Sequence, residues 1–432
     1  MSYDRGASPN LTDWEPSVHH CPLLLPDHPP LREVATHRAV SSKDGMHLAV
    51  PLRDTDNNWK LFTLTLPDQT HLCSRSVQAI SNITPIKGDE FAWLAMDEEG
   101  WRAMKNDEEI SPVTEFAWNL TVSPSGRIAF ESQSNRAYTP FAGDAFWQKG
   151  YESTLGLTQA SKANTTAAVV QTTPIAEGDL ATFASGCFTL ATEKGPWSQL
   201  FMGAYTPVLS RDGKILAADV RLSNNRCTIA VNGQCWEESW PEVWAPVIEP
   251  TNQKVFAPVK SQGRWWLYAN GKKHWETSAL QLWELHLSLD GKRMAAVASP
   301  SFGAWTLALE DTLWRSRVDG FLARPVFSPC ASRLATTGRH KNRAIVLIDD
   351  QIIDQNFHQT WQPVFSPHGS HVAFKAQKKG DFFIYLDGAP VGEPYLWLAD
   401  PQFSPDGKAL LICGLKKNGG SPYYVRTVIA TE

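Results

Sequence analysis

His19, His20 and Cys21 stand side by side with His28 close behind, and no other stretch of the chain gathers metal-ligand types so closely. The histidine pair could touch a metal. Adjacent side chains on an extended chain point to opposite sides, however, so no metal site is expected. A second set of groups is more regular. Asp-Gly pairs recur in turns of the form Ser-Pro-Asp-Gly, as at Asp406-Gly407, and would resemble a carboxylate ring if arranged round an axis. In such turns the Asp side chain ordinarily bonds its own backbone. The cysteines, Cys21, Cys73, Cys187, Cys227, Cys235, Cys330 and Cys413, are odd in number and scattered. Without a C-x-x-C spacing they outline no iron–sulfur, zinc-ribbon or attached-haem site. There is no G-x-S-x-G elbow, H-E-x-x-H, P-loop or dinucleotide fingerprint. No catalytic, cofactor-binding or metal-binding residue is assigned from local motifs, and no cofactor is expected.

The elements that would have to position any site must come from the whole chain. Its 432 residues, 42% hydrophobic and 20% charged, suit two or three ordinary domains or one long repeat array. A net charge of −5, with Lys and Arg spread evenly, offers no basic stripe for nucleic acid. The start, MSYDRGASPN, has no apolar signal region. No uninterrupted apolar run approaches the roughly 20 residues of a membrane helix. Reduced thiols in a cytoplasmic protein are the expectation.

The turn PQFSPDGKALL at Pro401 has counterparts at Ala39, Leu120, Pro207, Pro246, Leu285, Pro325 and Pro363. From Pro207 onward the steps are 39, 39, 40, 38 and 38 residues. Weaker matches at Asn82 and Thr172 bring the count to ten units. In each unit an alternating strand follows the turn, then a polar loop, a second strand, and a turn such as Asn232-Gly233, Asn270-Gly271 or Asp387-Gly388. Asn-Gly and Asp-Gly supply the positive φ of tight hairpins. Four short strands in about 40 residues, with no long helical pattern, describe an all-β propeller. The expected fold is therefore a β-propeller of about ten four-stranded repeats, making seven to ten blades.

The last unit stops one strand short. Residues 1–36 are expected to supply that strand and close the propeller of residues 37–432, with Trp14-Glu15 matching the outer-strand pairs Trp236-Glu237, Trp275-Glu276 and Trp314-Arg315. A loose tail is the alternative. Residues 131–171 look irregular, as an insertion or as a boundary between two rings; a single large ring is preferred, because three blades cannot close alone.

Eleven of the 18 tryptophans fall at three recurring positions, which marks them as packing residues between blades. Trp118, Trp244, Trp283 and Trp361, with Tyr205, precede the repeat start by two residues; Trp59, Trp266 and Trp305 follow it by 20. Others stand outside the pattern. Trp265 should point away from its neighbour Trp266. Phe141, Phe146, Trp147 and Tyr151 crowd the irregular stretch and, with Trp265, are the candidate partner-binding residues, since Trp and Tyr dominate interface hot spots. Packing of that loop on its own blade is the competing reading.

The turns Phe403-Ser404-Pro405-Asp406-Gly407, Phe365-Ser366-Pro367 and Val122-Ser123-Pro124-Ser125-Gly126 resemble the WD-like repeats of TolB-type propellers. That likeness speaks for fold and is nearly silent on function. In tryptophan content, length and repeat the chain also resembles the TmcD family, tryptophan-rich subunits of a transmembrane redox complex of sulfate-reducing bacteria. The likeness implies a cytoplasmic, membrane-associated, cofactor-free subunit of an electron-transfer complex. Its partners would be an iron–sulfur subunit, a membrane cytochrome b and a multihaem cytochrome c. Two other readings stay open: a hydrolase or lyase with residues from several blades meeting in the central channel, and a stand-alone TolB-like interaction protein.

Overall fold

A computed structural model describes residues 14–23, 31–251, 253–418 and 421–431, so the expectation for His28 lies outside the described residues. The repeat folds as ten antiparallel sheets. Each is a meander of strands A to D, with A at the axis and D at the rim. Blade 1 runs Leu31–Val34 with Val40–Ser41 (A), His47–Asp54 (B), Trp59–Thr65 (C) and Gln69–Leu72 (D). Blade 10 takes A, B and C from the end of the chain: Trp397–Leu398 with Gln402–Phe403, Ala409–Asn418 and Ser421–Ala430. Its fourth strand is Ser17–Pro22, paired from Ser17↔Val428 to Pro22↔Tyr423. The N-terminal segment thus closes the fold as expected, although the pairing begins just after Trp14-Glu15.

The ring is single. Buried apolar clusters occupy the interface between every pair of successive blades, and another joins blade 10 to blade 1. In that closing cluster Leu48, Val50 and Phe62 of blade 1 meet Leu411, Leu415 and Tyr424 of blade 10, and Trp14 packs at its edge. The buried Tyr424 hydroxyl donates to the Gly45 carbonyl at 2.9 Å, and Arg426 Nε donates to the Asp44 carbonyl at 2.9 Å.

Of the two degenerate units, the one at Asn82 lies in strand A of blade 2, Ala79–Pro85, as expected, and the other corrects a repeat boundary. Blade 4 does not begin near Thr172. Its A and B strands are Ser153–Gln159 and Thr166–Gln171. Residues 172–187 form its B–C connection, with a short helix Leu180–Ser185 that Asp179 caps by accepting from Thr182 N at 3.0 Å. The stretch 131–171 is accordingly no insertion: it completes blade 3, through Phe141–Ala142 and Ala145–Phe146, and starts blade 4. Its turn residues had departed from the consensus while its strands had not.

Strand A is interrupted at the same level in all ten blades. In blades 5, 6, 8, 9 and 10 a proline (Pro207, Pro246, Pro325, Pro363, Pro401) parts it into two short pieces, since proline has no N–H for the ladder. In blades 2, 3, 4 and 7 a bulge does so, with positive φ at Asn82, Asn119, Gly156 and Glu284. In blade 1 a 3-10 turn, Thr36–Arg38, intervenes. Bulges sharpen the local twist, which the crowded axis requires.

The A–B turns hold themselves. In blades 1, 5, 7 and 10 a serine hydroxyl (Ser42, Ser210, Ser288, Ser404) donates to the Asp two residues on at 2.5–2.6 Å. The same oxygens accept from backbone N–H groups at the start of strand B. These hydrogen bonds, the serine's first, keep Asp212, Asp290 and Asp406 below the usual carboxylate range. The repeated carboxylates therefore hold turns and face no common centre. At the C–D turns Asn232, Asn270 and Asp387, all at positive φ, accept from Leu216, Val255 and Val372 N–H at 2.9 Å. Neighbouring blades are also clasped at the rim: Asp311 accepts from Glu276 and Thr277 N–H, and Asp350 from Arg315 and Ser316 N–H, just beyond Trp275 and Trp314.

Ring closure can be tested at Gly45. It has φ +69, and a Cβ there would lie 2.2 Å from Cys413 Sγ in blade 10. Gly263 has a similar φ of +77 and open space around it. Gly263→Ala should cost about 1–2 kcal/mol from backbone strain alone. Gly45→Ala should lower the melting temperature markedly more; equal losses in thermal denaturation would refute a tight seam between blades 1 and 10.

Candidate functional site

Two regions carry groups that the fold itself does not use. The first is the axis at blades 5–8. Their inner strands converge on a cavity of about 320 Å³ lined by Thr206, Trp244, Trp283, Glu284 and Arg324 among others. A second cavity of about 340 Å³ lies beside it, bounded by the A–B turns of blades 5 to 7, His286 and again Arg324. Arg211 of blade 5 donates to the Leu289 carbonyl of blade 7 at 3.1 Å, passing over blade 6. The inner turns of blades 5 and 7 therefore approach each other beside these cavities. Burial, with the Arg324 charge as a lesser cause, pushes the His286 imidazole down to about 4, so it is neutral at neutral pH.

Trp244 forms one wall of the first cavity. One face of its ring is stacked on Trp265 (centroids 5.4 Å apart, planes 15°), and its edge meets Trp283. The side chain remains 41% exposed. Trp283 stacks on Trp305 at 4.6 Å, Trp118 meets Tyr138 edge-on at 5.9 Å, and Trp361 lies tilted against Phe382 at 5.4 Å. The aromatics two residues before the repeat start thus lie across their own blade and stay partly open, contrary to the fully packed layer expected for them.

The wall of blade 5 holds a buried carboxylate. Asp219 on strand B accepts from Thr206 N at 3.0 Å, where strand A is interrupted. Burial pushes its carboxyl up to about 6. Equivalent sites carry Glu131 in blade 3, accepting from Asn119 Nδ2 at 3.0 Å, and Lys375 in blade 9, paired with Asp400 at 2.8 Å. These side chains serve the broken inner strand.

The second region is an outer face. The B–C and D–A connections lie at one end of every blade, and the A–B and C–D turns at the other. Most exposed large apolar side chains among the described residues belong to the former end. Phe116, Leu200, Leu280, Phe321 and Leu396 lie on or beside D–A connections, and Phe302 and Leu180 on B–C connections. Phe302 is 98% exposed. At the opposite end only Leu289 is comparably exposed among the described residues.

The five residues expected to bind a partner lie elsewhere. Phe141, Trp147, Tyr151 and Trp265 are buried and Phe146 is half-buried. Phe141 stacks on Phe130 at 4.9 Å and meets Phe146 edge-on, between blades 2 and 3. Trp147 donates from Nε1 to Thr166 Oγ1 at 3.1 Å and meets Tyr151 edge-on, between blades 3 and 4. Trp265 and Trp266 do face opposite sides of their sheet, but both sides are covered by neighbouring blades. Sequence reasoning missed the exposed Phe302 and Phe321 because single loop residues leave no periodic trace. His19 and His20 stand on successive positions of the closing strand, with His20 edge-on to Tyr423. Among the described residues no three or more His, Cys, Asp or Glu side chains gather as a metal would require. All seven cysteines are free thiols. No helix among the described residues is long and apolar enough to cross a membrane.

The fold and these regions define the chain as a ten-bladed β-propeller. No family model matches it, and no curated protein matches either. Among solved structures it is similar to a eukaryotic initiation factor, at 12% identity over 76% of this chain and 90% of that one, with a TM-score of 0.48. The dihydro-heme d1 dehydrogenase NirN gives 11% identity over 77% and 70%, with a TM-score of 0.38. The Dos1 propeller gives 11% over 90% of each chain, with a TM-score of 0.33. Likeness at this level carries no functional argument.

Two outcomes follow. Trp147→Ala should cost about 3–5 kcal/mol of stability through the cavity it leaves, measured by denaturant unfolding; a stable, well-folded variant would contradict its core role. The raised Asp219 pKa means that its stabilising contribution is complete below about pH 4 and is lost as pH rises through about 6. Asp219→Asn keeps the acceptor for Thr206 N–H and removes the charge. It should raise the melting temperature at pH 7–8 and lose that advantage near pH 4.

Proposed function

We propose that this chain is a non-catalytic interaction subunit that docks through the face bearing its B–C and D–A connections. The observation that carries this reading is the uneven distribution of exposed apolar side chains, concentrated at that end and nearly missing at the other among the described residues. Exposed apolar side chains gathered at one end of a folded protein offer a place for another surface to sit. A partner of matching chemistry is a protein with an apolar patch ringed by polar groups, since the connections also carry charges of both signs such as Glu276, Arg315 and Asp319.

In its finer form the proposal makes the partner a membrane-associated electron-transfer complex. The chain would sit on the cytoplasmic side, beside an iron–sulfur subunit and a cytochrome b, with a multihaem cytochrome c across the membrane. Support for that form is the resemblance to TmcD in tryptophan content, length and repeat. The chain would contribute surface and leave electron transfer to its neighbours.

The test is capture of the tagged full-length chain from native membranes, with optical spectra of the eluate. Wild type should bring down haem and iron–sulfur absorption. The double variant Phe302→Asp/Phe321→Asp should lose it at unchanged melting temperature, because exposed positions rarely shift stability by more than about 0.5 kcal/mol. Elution of the wild type alone and colourless would end the redox reading. Equal capture by the variant would end the assignment of the face.

A further inference from the structure

The cavity between blades 5 and 8 contains two opposite charges that nothing in the fold employs. Arg324 and Glu284 both line it. Among the described residues neither makes a hydrogen bond or an ion pair, with each other or with any neighbour. On the inner strands elsewhere Lys375 pairs with Asp400 at 2.8 Å. Both side chains are exposed, and the two charges, at one small space and beyond ion-pair distance of each other, leave room for a molecule between them.

The backbone beneath Glu284 points the same way. Its φ is +49, at the bulge position where blades 2, 3 and 4 carry Asn82, Asn119 and Gly156. Asn and Gly accept that conformation readily; a longer side chain does so at a cost of about 1–2 kcal/mol. Glu310 also has positive φ, but its carboxylate accepts from Met294 N at 2.7 Å and so completes a turn. No such structural return is visible for Glu284, whose side chain is exposed to the cavity. Strain of this kind persists where a function retains it.

The third component is the wall. Trp244 offers the cavity a partly open indole whose other face is fixed by Trp265, and Trp283 stands edge-on beside it. An indole face attracts alkylammonium groups as well as apolar carbon. A volume of about 320 Å³ lies at the small end of the range for small-molecule sites. A simple anion would satisfy Arg324 and be repelled by Glu284; a simple cation would do the reverse.

We propose that this cavity binds a small zwitterion of amino-acid size, its carboxylate on Arg324, its ammonium on Glu284 and its carbon skeleton against Trp244. The guanidinium offers a paired donor fork that suits a carboxylate. The site is independent of the docking face, so either can fail without the other.

Isothermal titration calorimetry of the full chain tests this, with zwitterions of increasing charge separation (glycine betaine, γ-aminobutyrate and ε-aminocaproate) against acetate and tetramethylammonium. At least one zwitterion should bind ten-fold or more tightly than both single-charge ions. Arg324→Gln and Glu284→Gln should each weaken that binding at least ten-fold, and Arg324→Lys should restore part of it. Glu284→Gly should abolish binding while raising the melting temperature, a combination that a structural carboxylate would not give. The proposal is overturned if no zwitterion outcompetes the simple ions, if binding survives both charge removals, or if Glu284→Gly lowers stability.

Discussion

A sheet that stands radially in a closed ring has no free face. Every blade of this protein is pressed between two others, and the central strands are apolar on both sides in consequence: Leu48, Ala49 and Val50 in succession, or Ala295, Ala296 and Val297, are all buried. Sheet packing of this kind is the dominant favourable term, and it is shared among ten interfaces of one design. The constraint also explains the axis. Inner strands crowd where outer strands diverge, and each blade answers by interrupting strand A at one level, with proline, a bulge or a 3-10 turn. The polar groups freed there are met from strand B, as Asp219 meets Thr206.

Much of this was legible in the sequence because its signals are chemical. The Ser-Pro-Asp-Gly turn identifies itself: serine, aspartate and glycine each have a distinct part in the hydrogen-bonded loop, so the period could be read from it. The missing last strand was likewise evident from counting. Where a blade keeps its strands and loses its turn chemistry, as blade 4 does around Ala160 and Thr165, the boundary moved to the wrong place. The aromatic residues were misread for a different reason. Alternation along a strand distinguishes two faces and says nothing about whether both are covered, so Trp265 looked available; Trp147 did because its stretch looked irregular, and both lie in the interior. The reverse held for Trp244, which obeys the repeat yet opens on a cavity.

The two ends of the propeller differ in kind. At the A–B and C–D end, serine and aspartate side chains bond their own turns or the neighbouring blade. At the B–C and D–A end, Phe302, Phe321 and their neighbours make few demands on the fold and remain outside it. The axis between them is neither a wide hole nor a filled core. At blades 5–8 it holds chambers small enough for individual side chains to define their chemistry. Fold, face and chamber thus rest on different residues, and substitutions in one need not disturb the others.

Closure by Ser17–Pro22 has a consequence in time. The strand that seals the ring is synthesised about 400 residues before its partner, Ser421–Ala430. At about 5–20 residues per second, roughly 20–80 s of synthesis separates them. Throughout that interval the flank of blade 1 destined for blade 10 has no cover, and the edge of Ser17–Pro22 has no ladder to join. A nascent array of this sort keeps adhesive surface on blade 1 until Ser421–Ala430 arrives to cover it.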